Sequence, residues 1–238
     1  PESVTKLGSN TMIFKMGGEV FSFCRELKTI KFPQNGKIDT IYYKTCYKCS
    51  QLKNITFPNN LKEIKEEAFY HCLSLNTITF PDTLKVIGKK AFYECTKLNT
   101  ITFPDTLEVI GEKAFYGCDK LNNITFPQNL ISIGKKAFAG CTNLNEIHFK
   151  SKEITIHEKA FIGGDSLHGN TIINNVYFVE NTKINGKPHD HEETKALFPE
   201  GCQIINLNLK KAMGKSKKKK KRRKRRKKKS SQRKKRKK

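Results

Sequence analysis

A 23-residue period constrains this chain more than any other feature. Residues 75–97, LNTITFPDTLKVIGKKAFYECTK, and residues 98–120, LNTITFPDTLEVIGEKAFYGCDK, agree at 19 of 23 positions. The same frame fits 52–74, 121–143 and 144–166, and with two inserted residues it fits 27–51. Its columns repeat apolar residues: Leu52, Leu75, Leu98, Leu121 and Leu144; Ile55, Ile78, Ile101, Ile124 and Ile147; Phe57, Phe80, Phe103, Phe126 and Phe149. A single unit cannot bury such a face by itself, so the units must stack, each column becoming one row of a shared core.

Local chemistry sets the shape of each turn. In L-x-x-I-T-F-P the Ile and Phe lie two apart and the Thr between them faces the other way, which predicts a short strand. Pro33, Pro58, Pro81, Pro104 and Pro127 end it, because proline has no amide proton for a ladder. One strand per turn implies a parallel sheet. The following I-G-x-x-A-F-x-x-C stretch spaces Ala-Phe and Cys by three to four residues, which predicts a single helical turn facing the same core. Gly88, Gly111 and Gly134 are expected to provide the bend before it. The predicted fold class is therefore α/β: a solenoid with one short parallel strand and one short helical turn per 23-residue repeat.

The consensus at 75–95, L-x-x-I-T-F-P-x-x-L-x-x-I-G-x-x-A-F-x-x-C, resembles the repeat of the BspA-like, or treponemal-type, leucine-rich repeat family. The resemblance covers roughly residues 13–167. It implies a leucine-rich-repeat solenoid with a parallel sheet on one side, of a kind found in bacterial surface proteins and expanded in parasitic protists, with roles in adhesion or protein binding. The polybasic end of this chain departs from adhesin members.

The expected organisation is a partial repeat at 1–26, a solenoid at 27–167, a degenerate last turn and cap at 168–209, and a disordered basic tail at 210–238. Val176-Tyr177-Phe178 and Ile204 to Leu209 are predicted as closing strands, and Asn181 to Ala196 as a polar loop. The half-unit Val20, Phe21, Cys24 and Leu27 extends the array upstream, with Cys24 two residues out of register. The chain begins on Pro1, so a secretory signal cannot be judged from that end. No apolar run is long enough for a transmembrane helix.

Several motifs are absorbed by the repeat. Cys49, Cys72, Cys95, Cys118 and Cys141 fill one column, which reads as a ladder of buried thiols rather than disulfides or a metal ladder; Gly164 breaks it. Cys46-Tyr47-Lys48-Cys49 has the C-x-x-C spacing, but Cys49 belongs to the ladder and Cys46 replaces the unit's Phe. The sequons Asn54-Ile55-Thr56 and Asn123-Ile124-Thr125 follow from the repeat as well. His189-Asp190-His191-Glu192-Glu193 clusters metal-capable side chains and reads as a solvated loop. With no nucleophile–base pair or phosphate loop, the expectation is a protein that is not an enzyme and takes no cofactor, metal or small-molecule substrate.

Two surfaces remain for partners. Lys31, Thr56, Thr79, Thr102, Thr125 and His148 are expected to point outward from the strands, with Lys53, Asn76, Asn99 and Asn122 beside them, forming a face for a protein partner. The same columns could instead be stacking positions of the sheet itself. Tyr70, Tyr93 and Tyr116 form a second column, read as an outer stack.

The tail is the other surface. Residues 210–238 hold 22 of the 47 basic residues and none of the 22 acidic ones, so the preceding 209 residues carry only +3 of the net +25. Its blocks are Lys217, Lys218, Lys219, Lys220, Lys221, Arg222, Arg223, Lys224, Arg225, Arg226, Lys227, Lys228 and Lys229, then Arg233, Lys234, Lys235, Arg236, Lys237 and Lys238. A run of like charges cannot form a core and acts as a polyanion-binding or targeting tail. RNA or DNA phosphates, with a nuclear or nucleolar location, are favoured over an anionic membrane, which usually needs a second anchoring signal. The alternative locations are the cell surface and the cytoplasmic face of a membrane.

Overall fold

A computed structural model describes residues 3–4, 18–34, 38–164, 168–179, 181–188 and 192–207. It separates into a body ending at Ile205 and a unit beginning at Asn206. The body is a stack of turns in which each repeat contributes two strands rather than one. The first strand is the predicted one: Thr29–Lys31, Asn54–Thr56, Thr77–Thr79, Thr100–Thr102, Asn123–Phe126 and Glu146–Phe149. The second lies about nine residues on, at Thr40–Ile41, Glu63–Ile64, Val86–Ile87, Val109–Ile110, Ser132–Ile133 and Glu153–Ile156. This second set forms a continuous sheet of eight strands, closed by Lys183–Ile184 in parallel and Lys187–Pro188 in antiparallel pairing.

Pairing registers explain the inserted residues. Thr29 pairs with Asn54 and Ile30 with Ile55, an offset of 25, whereas Thr40 pairs with Glu63 and Ile41 with Ile64, an offset of 23. The insertion of the 27–51 unit therefore lies between these two strands. Cys24 precedes it, so Cys24 stands in the cysteine column after all, one turn before Cys49.

The expected helical turn is not there. In its place runs a chain of tight turns whose amides alternate in direction. The N–H groups of Lys90, Phe92 and Glu94 donate to the carbonyls of Glu112, Ala114 and Tyr116 in the next repeat, at 2.8, 2.8 and 2.7 Å. Those of Ala91, Tyr93 and Cys95 donate three residues back, to Gly88, Lys90 and Phe92, at 3.3, 3.2 and 3.3 Å. To aim this way Lys90 and Glu94 take φ of 51° and 52°. A left-handed conformation costs a non-glycine residue about 1–2 kcal/mol, and here it frees half the amides for a third inter-turn ladder. An α-helical turn would spend those amides internally, and Ala-Phe and Cys face the core in either geometry.

Gly88, Gly111 and Gly134 have a different reason from the bend expected of them. None has a positive φ, but a Cβ on Gly111 would stand 2.7 Å from the carbonyl carbon of Gly88, and one on Gly134 would stand 2.6 Å from the amide of Glu112. They let successive backbones touch.

The Ile, Leu, Phe, Ala and Cys columns form one continuous core, buried throughout except at Phe21, Cys24 and Ile55, which are partly buried against it. Rings run through it in two files. Phe57, Phe80, Phe103 and Phe126 stack at 5.7, 6.1 and 5.8 Å, and Phe69, Phe92, Phe115 and Phe138 at 5.2, 5.3 and 5.2 Å. Edge contacts such as Phe103 to Phe115, 5.8 Å at 70°, tie the files together, a geometry favoured by the ring quadrupole.

Past residue 164 the period changes but the stack continues. Asn175–Phe178 pairs with Glu146–Phe149 at an offset of 29, and Gln203–Asn206 continues the same sheet. The segment expected as a polar loop holds the hairpin of Lys183–Ile184 and Lys187–Pro188 and a short helix, Glu192–Lys195. Phe198 closes the core, stacked on Phe161 at 5.2 Å. Among the described residues no helix is long and apolar enough to cross a membrane.

Candidate interaction surface

Strand alternation fixes which side chains leave the core. Ile78 and Ile101 are buried while Thr77, Thr79, Thr100 and Thr102 are exposed, and Cα pairing sets Thr77 beside Thr100 and Thr79 beside Thr102. Thr56 and Thr125 continue the second column, Lys31 lies beside Thr56, and Lys53, Asn76, Asn99 and Asn122 stand exposed one residue before each strand. The residues read from the sequence as an outward face do share one. His148 is half-buried and pairs in register with both Thr125 and Tyr177.

The face has three parts. Its middle, from Asn76 to Thr125, presents only hydroxyls and amides. Lys31 and Lys53 lie at one end. At the other, the His148 and Tyr177 rings stack with centroids 4.2 Å apart, with the Glu146 carboxylate 3.8 Å from His148 Nε2 and accepting from the Tyr177 hydroxyl at 3.5 Å. Sequence reasoning missed Tyr177 and Glu146 as part of this face, and with them the first Thr column. The six additional residues between Glu146 and Asn175 hide the alignment of Tyr177 with His148.

A second row, half-buried at Tyr47, Tyr70 and Tyr93 and buried at Tyr116, lies along the tight turns. Tyr47, Tyr70, Tyr93 and Tyr116 stack at 4.9, 4.8 and 4.9 Å, one ring more than the expected column. Burial, then the neighbouring Glu94, pushes the Tyr70 hydroxyl up to about 12. Beyond Tyr116 the row ends on His168, edge-on at 5.8 Å. His168 Nδ1 lies 3.1 Å from Asp119 and its Nε2 3.4 Å from Glu94, whose other oxygen is 2.5 Å from His71 Nε2. The ring sits where side chains are missing: a Cβ on Gly117 would meet it at 2.9 Å. The His168 segment is therefore a strap across the repeats.

The cysteine column is a ladder of free, separate thiols. Cys72, Cys95, Cys118 and Cys141 donate to the carbonyls of Cys46, Phe69, Phe92 and Phe115 at 3.2, 3.3, 3.2 and 3.2 Å. Each of these carbonyls also accepts from the amide three residues on, and the thiol adds a second donor, which alanine could not supply. At Gly164, where the column breaks, a Cβ would overlap the carbonyl of His168, and the Thr171 hydroxyl serves the next carbonyl, Phe138 O, at 3.0 Å.

Among the described residues no group of three or more His, Cys, Asp or Glu is arranged to hold a metal ion. His189, Asp190 and His191 lie outside the described residues, as does the basic tail from Lys217 to Lys238.

The model of the BspA type leucine rich repeat region matches residues 2–86 and 62–187, in six copies. The chain belongs to this family. Among solved structures, this BspA-type chain is similar to the leucine-rich repeat protein of T. pallidum, with 28% identity and a TM-score of 0.57 over 63% of this chain and 72% of that one. It is also similar in fold to the pneumococcal vaccine antigen PcpA, with 21% identity and a TM-score of 0.57 over 75% of this chain, and spans 41% of that protein. No curated protein matches it.

Proposed function

We propose that this BspA-type repeat protein is a non-enzymatic, adhesion-type scaffold that docks a protein partner on its outward strand face. The observation that carries the reading is the row of Lys31 and Thr56, Thr79 and Thr102, and Thr125, His148 and Tyr177, in register within each of three sheet segments, exposed as far as Thr125 and half-buried at His148 and Tyr177. Its hydroxyl and amide middle is complementary to a partner's backbone groups. Its ends supply what dominates protein interfaces, an aromatic pair and charge. The shared fold with a vaccine antigen supports a surface location. The test is adhesion of beads carrying the full chain to immobilised extracellular proteins. Thr79→Lys with Thr102→Lys should abolish adhesion without lowering the melting temperature, and equal adhesion by this variant would defeat the proposal.

A second reading rests on the composition of residues 210–238. Twenty-two cations without an acidic neighbour suit RNA or DNA phosphates, bound by counterion release, and with them a nuclear or nucleolar location. A chain ending at Leu209 should then lose binding to unrelated RNAs and change its distribution in cells. Binding that prefers one RNA sequence and resists salt, or an unchanged distribution, contradicts this reading.

A further inference from the structure

Independently of the partner-binding face, we propose that Cys46 and Cys49 form a thiol-oxidation site, a dithiol that closes to a disulfide on reaction with a small-molecule disulfide such as oxidised glutathione. In four later repeats the column of Cys46 holds Phe69, Phe92, Phe115 and Phe138, leaving each of those units one thiol in the column of Cys49. Only in the 27–51 unit does a second thiol take the place of the ring, so only there do two thiols share one turn. That turn is closed by the Cys49 amide donating to the Cys46 carbonyl at 3.3 Å. A closed turn holds its first and fourth Cα atoms within about 7 Å, and disulfides span about 4.4–6.8 Å between Cα atoms. Cys49 donates to the Phe21 carbonyl at 2.9 Å, as the ladder thiols Cys95, Cys118 and Cys141 do to theirs, but each of those has no second thiol within its own turn.

The pair is chemically unequal, as an exchanging dithiol requires. Cys46 donates to the Cys49 sulfur, and this bond, with one from the Cys24 amide, holds the Cys49 thiol below its ordinary range although burial opposes it. Burial pushes Cys46 well up, and the neighbouring Cys49 adds to that. Cys49 is thus the attacking sulfur and Cys46 the resolving one.

Access comes through the turn that covers them. Residues 18–24 are held by Glu19 N to Tyr43 O, Phe21 N to Thr45 O and Phe23 N to Tyr47 O, at 2.8, 2.8 and 2.7 Å. Phe23, in this turn, is 54% exposed. Local opening of the turn gives a small disulfide access to the two buried thiols.

The chemistry balances. The Cys49 thiolate attacks one sulfur of the small disulfide and expels one thiolate, leaving a mixed disulfide. The Cys46 thiolate then attacks the Cys49 sulfur and expels the second. Two protein thiols are oxidised, one small disulfide is reduced to two thiols, and the protein's two protons go to the departing thiolates.

The full chain, treated with oxidised glutathione, is denatured, alkylated and cut with trypsin without reduction. Cleavage after Lys44, Lys48 and Lys53 puts Cys46 and Cys49 on separate peptides, 45–48 and 49–53. The expected result is loss of both alkylated peptides together and their recovery as one linked species that reduction separates, with Cys72, Cys95, Cys118 and Cys141 recovered alkylated. Cys46→Ser should convert the linked species into a glutathione adduct on Cys49. Recovery of both peptides alkylated, a Cys24–Cys49 link, or a Cys46→Ser chain whose Cys49 stays fully alkylatable would overturn the proposal.

Discussion

Replacing Phe103 with alanine tests the stacked core at its centre. Phe103 is 7% exposed and touches three rings: Phe80 at 6.1 Å, Phe126 at 5.8 Å, and Phe115 edge-on at 5.8 Å. Truncating a buried Phe costs about 3–5 kcal/mol, and each ring pair contributes about 0.5–1.5 kcal/mol. With both stacking partners and an edge partner lost, we expect about 4 kcal/mol. For a body of this size that lowers the melting temperature by roughly 8–16 °C. Guanidinium unfolding followed by circular dichroism gives the free energy directly. Phe103→Leu keeps most of the apolar burial and loses the ring pairs, so it should cost about 1–2 kcal/mol. A loss below about 1 kcal/mol for the alanine variant, or a leucine variant as costly as alanine, would refute the claim that the ring file carries stability. A fall in the denaturant slope alongside would mean instead that the array had split into separately unfolding parts.

Gly111→Ala should cost about 1–3 kcal/mol, because the new methyl meets backbone of the preceding turn and not a movable side chain; a melt equal to the parent's would contradict the close-approach account. Alkaline pH should unfold the protein through its tyrosine stack. Tyr70 is raised to about 12 from its ordinary value of 10, so between those values the unfolded chain releases its proton first. Stability must then fall as pH rises above 10, and a flat stability profile there, measured by urea unfolding, would contradict the burial of this ring. Cys118→Ala removes the thiol donor from the Phe92 carbonyl, which keeps the Cys95 amide, at an expected cost of about 0.5–1.5 kcal/mol, read from the same denaturant curves.

The period made the fold legible because every turn repeats the same packing problem. Ile78 and Phe80 declare a strand by alternation alone, and the rings at Phe57, Phe80 and Phe103 align without reference to coordinates. The tight turns were not legible from Lys90 or Glu94, two residues that disfavour positive φ. The one signal was at Glu94, whose column-mates Gly117, Gly140 and Gly163 all have positive φ; the Lys90 column holds lysines and gave none. On the strand face, the Thr and Asn rows followed from alternation, whereas Tyr177 did not, because insertion shifted its pairing offset from 23 to 29. Cys46 looked like a degenerate Phe position within a C-x-x-C spacing, and the fold sets it and Cys49 at the two ends of one closed turn.

The outward strand face is the proposed docking site of the partner. A photoreactive residue placed at Thr102, and in a second chain at Lys89 beside the second ladder, tests it most directly in the cells that make the protein. Both positions are exposed. Discrete crosslinked adducts from position 102, and none from position 89, are predicted. Adducts from position 89 alone, or from neither position while the chain still adheres, would contradict it.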